Sequence, residues 1–191
     1  MKLLKTLGLA TTLLASTAAF AAPQTYTIDP THTATVFSWN HFGFSTPSAN
    51  FSDINGKIVV DFDKPSASSV DVTIPVSSVN TNVKALDDEF QKADWFNAAQ
   101  FPNITFKSTK VQTKNKKDFT ISGILTVKGI SKPVVLKAKL NGKGAHPMSK
   151  LPTIGFNATT TFKRSDFGLG AFVPNVGDKI TVNITTEASV K

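Results

Sequence analysis

Apolar and polar residues alternate without interruption along residues 180–190. One face carries Ile180, Val182, Ile184, Thr186, Ala188 and Val190. Thr, Asn, Glu and Ser residues occupy the positions between them. A two-residue period is typical of a β-strand that has one apolar face and one polar face. The pattern therefore predicts a strand at the end of the chain.

The same alternation recurs in several other segments, which are separated by turn-forming residues. It predicts strands at 24–28, 33–42, 54–62, 70–76, 103–112, 119–127, 132–140 and 151–163. Gly129-Ile130-Ser131 reads as a turn between two of them. We expect an all-β domain in which these strands form one antiparallel β-barrel, either up-and-down or flattened.

One segment departs from the two-residue period. Its apolar residues are spaced by three or four positions and comprise Val83, Leu86, Phe90, Ala93 and Phe96. This spacing is typical of a helix with one apolar face. Three acids at 87–89 lie near its start, where the helix dipole favours negative charge. A short helical excursion, ended before Pro102, is therefore expected between the strands.

The first 21 residues have the features of an export signal. Lys2 and Lys5 precede a moderately apolar run, and Ala19-Phe20-Ala21 matches a signal-peptidase site. Thr and Ser residues interrupt the run, which disfavours the alternative of a membrane anchor. We expect cleavage after Ala21, no membrane span, and a single exported domain, residues 22–191, in the periplasm. The chain has no Cys, so burial alone must stabilise this domain.

The chain is basic, with 21 Lys and Arg against 13 Asp and Glu. Loss of Lys2 and Lys5 with the signal leaves 19 basic residues and a formal net charge of +6. Nearly all are Lys on predicted polar faces, which suits a solvated surface, whereas nucleic-acid grooves favour Arg. We therefore predict no nucleic-acid partner and a weak attraction to anionic surfaces.

Candidate chemistry is sparse. His32, His41 and His146 lack companions at the spacing of a metal site, and the absence of Cys excludes thiol catalysis. No serine-hydrolase elbow or phosphate-binding loop occurs. Arg164, the single Arg, suits a phosphate or carboxylate ligand, but we favour a structural role in which it holds its loop to an acid such as Asp166. These residues predict no catalytic site, no metal and no cofactor.

Phenylalanine is unusually frequent, with 15 Phe against one Tyr and two Trp. Five of them fall in loop-like stretches: Phe44, Phe51, Phe101, Phe167 and Phe172. Such rings at the end of a barrel can cover a bound lipid or can close the core, and the residues alone leave both interpretations open.

Several segments together resemble the YceI family of bacterial lipid-binding proteins. They are 26–29 (YTID), 40–44 (NHFGF), 79–82 (VNTN), 93–96 (ADWF), 101–108 (FPNITFKS), 123–134 (GILTVKGISKPV), 164–169 (RSDFGL) and 176–178 (VGD). The resemblance implies an extended, lipocalin-like antiparallel barrel of about eight strands. It also implies a polyisoprenoid or similar amphiphile in a long apolar pore, with a helix packed against the barrel. Many relatives carry Arg-Asp and His-Leu where this chain has Leu86-Asp87 and Glu89-Phe90.

From this resemblance we expect a periplasmic binding or carrier protein for an isoprenoid quinone or a polyprenyl phosphate. The predicted pore-lining residues are Phe37, Trp39, Phe42, Phe44, Trp95, Phe96, Phe106, Phe156, Phe162 and Phe172. His41 and Arg164 are candidates for contact with a head-group. The alternatives are a stress-related protein with a filled barrel, and an enzyme that uses His41 or Asp94 with Arg164. A homodimer is a further arrangement that the sequence leaves open.

Overall fold

The computed structural model describes residues 22–191, so the predicted export signal and its cleavage site lie outside the described residues. The strands are β1 (Gln24–Ile28), β2 (Ala34–Ser38), β3 (Ser48–Phe51), β4 (Asn55–Val60), β5 (Ser69–Pro75), β6 (Val79–Asn80), β7 (Asn103–Thr113), β8 (Asp118–Val127), β9 (Ile130–Ala145), β10 (Pro152–Lys163) and β11 (Lys179–Ser189). The one α-helix in this part of the chain is α1 (Lys84–Gln91).

Eight of these strands form a closed antiparallel barrel, as predicted. The order around the ring is β1, β4, β5, β7, β8, β9, β10 and β11, and β11 closes it by pairing Ala188 with Ile28 of β1. Closure satisfies the backbone hydrogen bonds of every ring strand and removes free edges. The first half of β11 also pairs with β2, where Val182 lies opposite Phe37. Strands β3 and β6 extend this part of the sheet away from the barrel.

The alternation of the sequence decides which residues enter the barrel. On β11, Ile180, Val182 and Ala188 are buried, whereas Lys179 and Asn183 are exposed. The apolar face of each ring strand therefore faces the barrel interior, and the polar face meets solvent.

The β8–β9 hairpin has a tighter turn than expected. Lys128 and Gly129 both have positive φ, at 50° and 75°. This is the backbone of a two-residue type I′ turn, whose twist matches that of the flanking strands. Ile130 therefore begins β9 rather than lying in a turn, and β9 extends to Ala145, beyond the predicted end.

Helix α1 is shorter than its apolar spacing predicts. It ends at Gln91 because Lys92 has an extended backbone, with ψ of 166°. At the start of the helix, Asp87 accepts hydrogen bonds from the backbone N–H and the hydroxyl of Thr81, both at 2.7 Å. These bonds attach the first turn to the segment that follows β6.

The directions of the ring strands divide the connecting loops between two ends of the barrel. Loops 39–47, 76–102, 128–129 and 164–178 lie at one end, which we name the helix end because it includes α1. Loops 61–68, 114–117 and 146–151 lie at the other, the far end. At the far end, the ammonium of Lys143 covers the Phe62 ring at 3.9 Å from its centroid.

The segment between β1 and β2 contains an exposed charge pair with an expected pH signature. His32 Nδ1 lies 2.8 Å from Asp29 Oδ2, and Thr31 donates its N–H and hydroxyl to Asp29 Oδ1. The hydrogen bond with Asp29 raises the pKa of His32 above its ordinary 6.5, and the nearby charge of Glu187 adds to this. The same bond lowers the pKa of Asp29 to about 2.

We expect the Asp29–His32 pair to stabilise the fold only between the two titrations. The Asp29 contribution is present above its unfolded pKa and is lost as the pH falls toward about 2. The His32 contribution is present below its unfolded pKa and is lost as the pH rises through its raised folded value. NMR titration of the His32 ring checks this: Asp29→Asn should return the His32 pKa toward 6.5, and an unchanged pKa would contradict the pairing.

Candidate functional site

The barrel encloses an elongated cavity of about 720 Å³. All eight ring strands and α1 contribute lining residues, and most of the lining is aliphatic or aromatic. The volume falls within the ~300–1,000 Å³ of typical small-molecule pockets. The barrel therefore has an interior that its own side chains do not fill.

The cavity reaches the surface at the helix end. Two of the large apolar side chains that line it are exposed to solvent: Phe42 at 50% and Phe172 at 68%. They lie in loops that contact each other, because the Phe42 N–H donates to the Asn175 carbonyl at 2.9 Å. Phe172 is also close to the ring of Trp95, at 6.5 Å between centroids. These rings mark the mouth of the cavity.

The structure brings most of the predicted lining residues together. Those around the cavity are Phe37, Trp39, Phe42, Trp95, Phe96, Phe106, Phe156, Phe162 and Phe172. Phe44 is the exception, because it is 93% exposed and lies outside the cavity. Contact of these residues with a lipid stays a prediction.

An aromatic cluster packs beneath α1 at the barrel wall. Phe90, only 4% exposed, packs against Trp95 at 5.1 Å and against Phe96 edge-on at 5.8 Å between centroids. Phe37 stacks on Phe51 at 5.3 Å. Contrary to expectation, Phe51 is not in a loop but is a buried residue of β3. The helix therefore covers one side of the cavity through rings rather than through polar contacts.

A glycine makes room for one of the lining rings. Gly123 on β8 faces the interior next to Phe106 of β7, and a Cβ at this position would lie 2.4 Å from the Phe106 ring. No other residue type leaves that space. Gly123 therefore lets the Phe106 ring lie flat against the barrel wall.

The lining residues with ionisable side chains are His41, Glu89 and Arg164, all at the helix end. Glu89 accepts hydrogen bonds from the Lys92 ammonium at 2.5 Å and from the Trp95 indole N–H at 3.3 Å. The bond with Lys92, followed by its positive charge, lowers the pKa of Glu89. Glu89 is thus an ionised carboxylate at the mouth, and two hydrogen bonds use part of its accepting capacity. His41 is exposed beside Phe42, with their rings 4.7 Å apart.

Arg164 binds backbone carbonyls. The side chain is 5% exposed, and its guanidinium donates to the carbonyls of Leu169, Ala171, Val176 and Gly177. The two bonds from Nη2 measure 2.7 and 2.8 Å. No carboxylate of residues 22–191 lies within ion-pair distance of it, so the expectation of Asp166 as its partner is wrong. Burial lowers the pKa of Arg164, and the charge of Asp178 partly opposes this.

Arg164 therefore has two roles at the mouth. It holds the 169–177 loop through four hydrogen bonds, and its positive charge lies at the cavity wall, 5.8 Å from the centre of the Trp95 ring. A guanidinium has five N–H groups, so most of its donors are committed to the loop.

Several lining residues were absent from the sequence prediction. Leu86 and Phe90 on α1, and Phe119 and Ile121 on β8, line the cavity. Their positions were visible in the apolar spacing of the helix and in the alternation of the strand. Periodicity identifies two faces of an element without showing which one is internal, so it does not single out these residues.

Residues 22–191 contain no cluster of three His, Asp or Glu suited to a metal ion. Over the same residues, no helix combines the length and apolarity that crossing a membrane requires.

Comparison with known proteins identifies the family. The YceI-like domain model matches residues 26–188. A UPF0312 protein of Shewanella putrefaciens is 34% identical over 175 residues, covering 92% of this chain and 91% of the relative.

Solved structures agree with the barrel. A Campylobacter jejuni YceI protein has a TM-score of 0.72 and 32% identity, covering 80% of this chain and 90% of its own. A polyisoprenoid binding domain from Saccharophagus degradans, implicated in plant cell wall breakdown, shares the fold with a TM-score of 0.68 and 14% identity, covering 87% of this chain and 98% of its own. The match over nearly the whole described domain shows that this chain belongs to the YceI family.

Proposed function

We propose that this protein binds and carries a long-chain amphiphile, with an isoprenoid quinone or a polyprenyl phosphate as first candidates. The observation that carries the proposal is the cavity of about 720 Å³, whose lining is mostly apolar and has ionisable side chains only at the helix end. This polarity matches a molecule with a hydrocarbon tail and one polar head. The polyisoprenoid-binding description of the Saccharophagus degradans domain supports the choice of ligand class.

The physics of chain burial explains why few polar contacts are needed. Each buried methylene contributes about 0.8 kcal/mol. A tail of ~40 carbons would contribute at most ~30 kcal/mol, above the practical limit of roughly 20 kcal/mol for non-covalent binding. Lost tail entropy and incomplete burial absorb the excess. An apolar wall alone is therefore sufficient for tight binding.

The head-group is proposed to lie at the mouth, near His41 and Arg164. Leu86, Glu89 and Phe90 line the cavity at the positions where the resemblance to the YceI family implies Arg, His and Leu. Glu89 is paired with Lys92, so it adds no free negative charge, and the smaller number of cations is what favours a neutral head-group over a strongly anionic one. Of the two first candidates, this places the quinone ahead of the polyprenyl phosphate.

The two rival functions have less support. A filled, purely structural barrel is disfavoured by the size of the cavity. An enzyme that uses Asp94 is disfavoured because Asp94 does not line the cavity, although His41 does. The binding interpretation also agrees with the predicted export to the periplasm, where a carrier would move such a lipid through water.

The two Trp residues of the chain, Trp39 and Trp95, provide a direct assay because both line the cavity. A quinone with a long isoprenoid tail should quench their fluorescence saturably in delipidated protein. The same quinone ring without a tail should quench weakly, since the tail supplies most of the binding energy. Equal quenching by the two compounds would show that the cavity does not select for a chain.

A further inference from the structure

Phe44 has no role in the core or in the cavity. It is 93% exposed and lies in a turn built by short hydrogen bonds. The His41 N–H donates to the Ser45 carbonyl at 2.9 Å, and the Phe44 N–H donates to the His41 carbonyl at 3.0 Å. The Gly43 N–H donates to Asn40 Oδ1 at 2.8 Å. The turn therefore presents a phenyl ring to solvent at a defined place.

Phe42 and Phe172 accompany Phe44 at the helix end. Both have left-handed backbones, with φ of 54° and 62°, which bulky residues rarely adopt. Their loops are joined by the Phe42-to-Asn175 bond and by the Gly177 N–H, which donates to the Asn40 carbonyl at 2.8 Å. We name these three rings the aromatic rim.

The rim concentrates the exposed phenylalanines of the described chain around the mouth. Every Phe among the exposed large apolar residues of 22–191 belongs to it. Exposed aromatic groups beside a binding mouth mark an interaction surface. Phe, Tyr and Trp side chains insert favourably at the boundary between lipid head-groups and acyl chains.

The helix end carries charges of both signs, with six basic and six acidic side chains on its loops and at the adjoining ends of β10 and β11. Lys163 and Lys179 face each other across β10 and β11, and Lys128 is in the β8–β9 turn, all at the helix end. None of these three is within ion-pair distance of an acid of residues 22–191. Asp166 and Asp178 are also nearby, and Asp178 accepts two hydrogen bonds from Ser165. The exposed rings, rather than a net positive charge, are therefore what this end offers to a lipid surface.

We propose that the aromatic rim docks on the surface of a phospholipid bilayer, with the cavity mouth facing the membrane. A lipid could then pass between bilayer and barrel without crossing water. Transfer of a lipid through the mouth rests on the proposed carrier function, whereas the docking itself requires only the rim.

The test is sedimentation with vesicles of phosphatidylcholine and phosphatidylglycerol that contain no isoprenoid. Phe44→Ala should weaken binding about tenfold, the expected loss for one partly inserted ring. Phe44→Trp should retain it. Met148→Ala is the matched control, because Met148 is 85% exposed but lies at the far end. It should bind as the wild type does.

Several outcomes would overturn docking through the rim. One is that Phe44→Ala binds the vesicles as well as the wild type does. Another is that Met148→Ala loses as much binding as Phe44→Ala. A third is that high salt abolishes vesicle binding while the Phe44 substitution has no effect. The last result would point to docking through the far end, whose loops carry Lys64, Lys114, Lys116, Lys117 and Lys150. Quinone quenching in detergent solution separates the two proposals, since Phe44 lies outside the cavity. Phe44→Ala should leave the quinone quenching unchanged. Absence of quenching in the wild type would reject the carrier function but not the docking.

Discussion

Ala158→Trp is expected to weaken binding of a long isoprenoid about 100-fold while the barrel stays folded. Ala158 lies midway along β10 and lines the cavity, opposite Ala138 of β9 and Ile184 of β11, which also line it. An indole here would occupy space that the tail needs. Displacing about four methylenes costs roughly 3 kcal/mol, which corresponds to the 100-fold loss. Trp fluorescence is altered by the substitution itself, so calorimetry is the measurement.

Thr161→Trp is the matched control for Ala158→Trp. Thr161 is on the same strand but exposed on the outer face, so the same indole should leave lipid affinity unchanged. The melting temperatures of both variants should remain within a few degrees of the wild type, since the cavity accommodates the added volume of the inner indole. Undiminished affinity in Ala158→Trp would show that the lipid binds elsewhere.

Arg164→Ala is expected to have the largest effect on stability, about 3–5 kcal/mol of the free energy of unfolding. Removal of the guanidinium leaves four carbonyls of the 169–177 loop without their donor. Each buried acceptor left unsatisfied costs about 1–3 kcal/mol, and water recovers part of the total. For a domain of this size, the melting temperature should fall by roughly 10 °C.

Two further variants make the Arg164 result specific. Arg164→Lys should recover only part of the loss, because an ammonium has three donors and lacks the planar fork that reaches four carbonyls. Lys163→Ala removes the exposed cation next to it and should change stability by less than about 0.5 kcal/mol. If Arg164→Ala had the same melting temperature as the wild type, contacts other than those of Arg164 would have to hold the 169–177 loop in place.

The sequence predicted the barrel because closed sheets impose a local rule. Each ring strand must alternate, so residues such as Ile180 and Val182 identify both the strand and its buried face. The sequence does not predict β3 and β6, because strands of four and two residues are too short to show a period. The outer part of β9 escaped it because Gly142 and Gly144 interrupt the apolar series.

The site was predictable only where it lies on strands. Phe37 and Trp39 follow from alternation, and the structure places them at the cavity. Phe44 was placed in the pore wrongly, because loop residues have no period that tells an inward ring from an outward one. The partners of Arg164 could not be read from residue types, since they are backbone carbonyls that every sequence contains.

Native mass spectrometry of the protein, purified without detergent from its own host, tests the carrier function most directly. We predict a population that retains a bound molecule, which fragmentation identifies as carrying an isoprenoid chain. A protein that arrives without any adduct, and that stays so after incubation with long-tailed quinones and polyprenyl phosphates, would contradict the proposal.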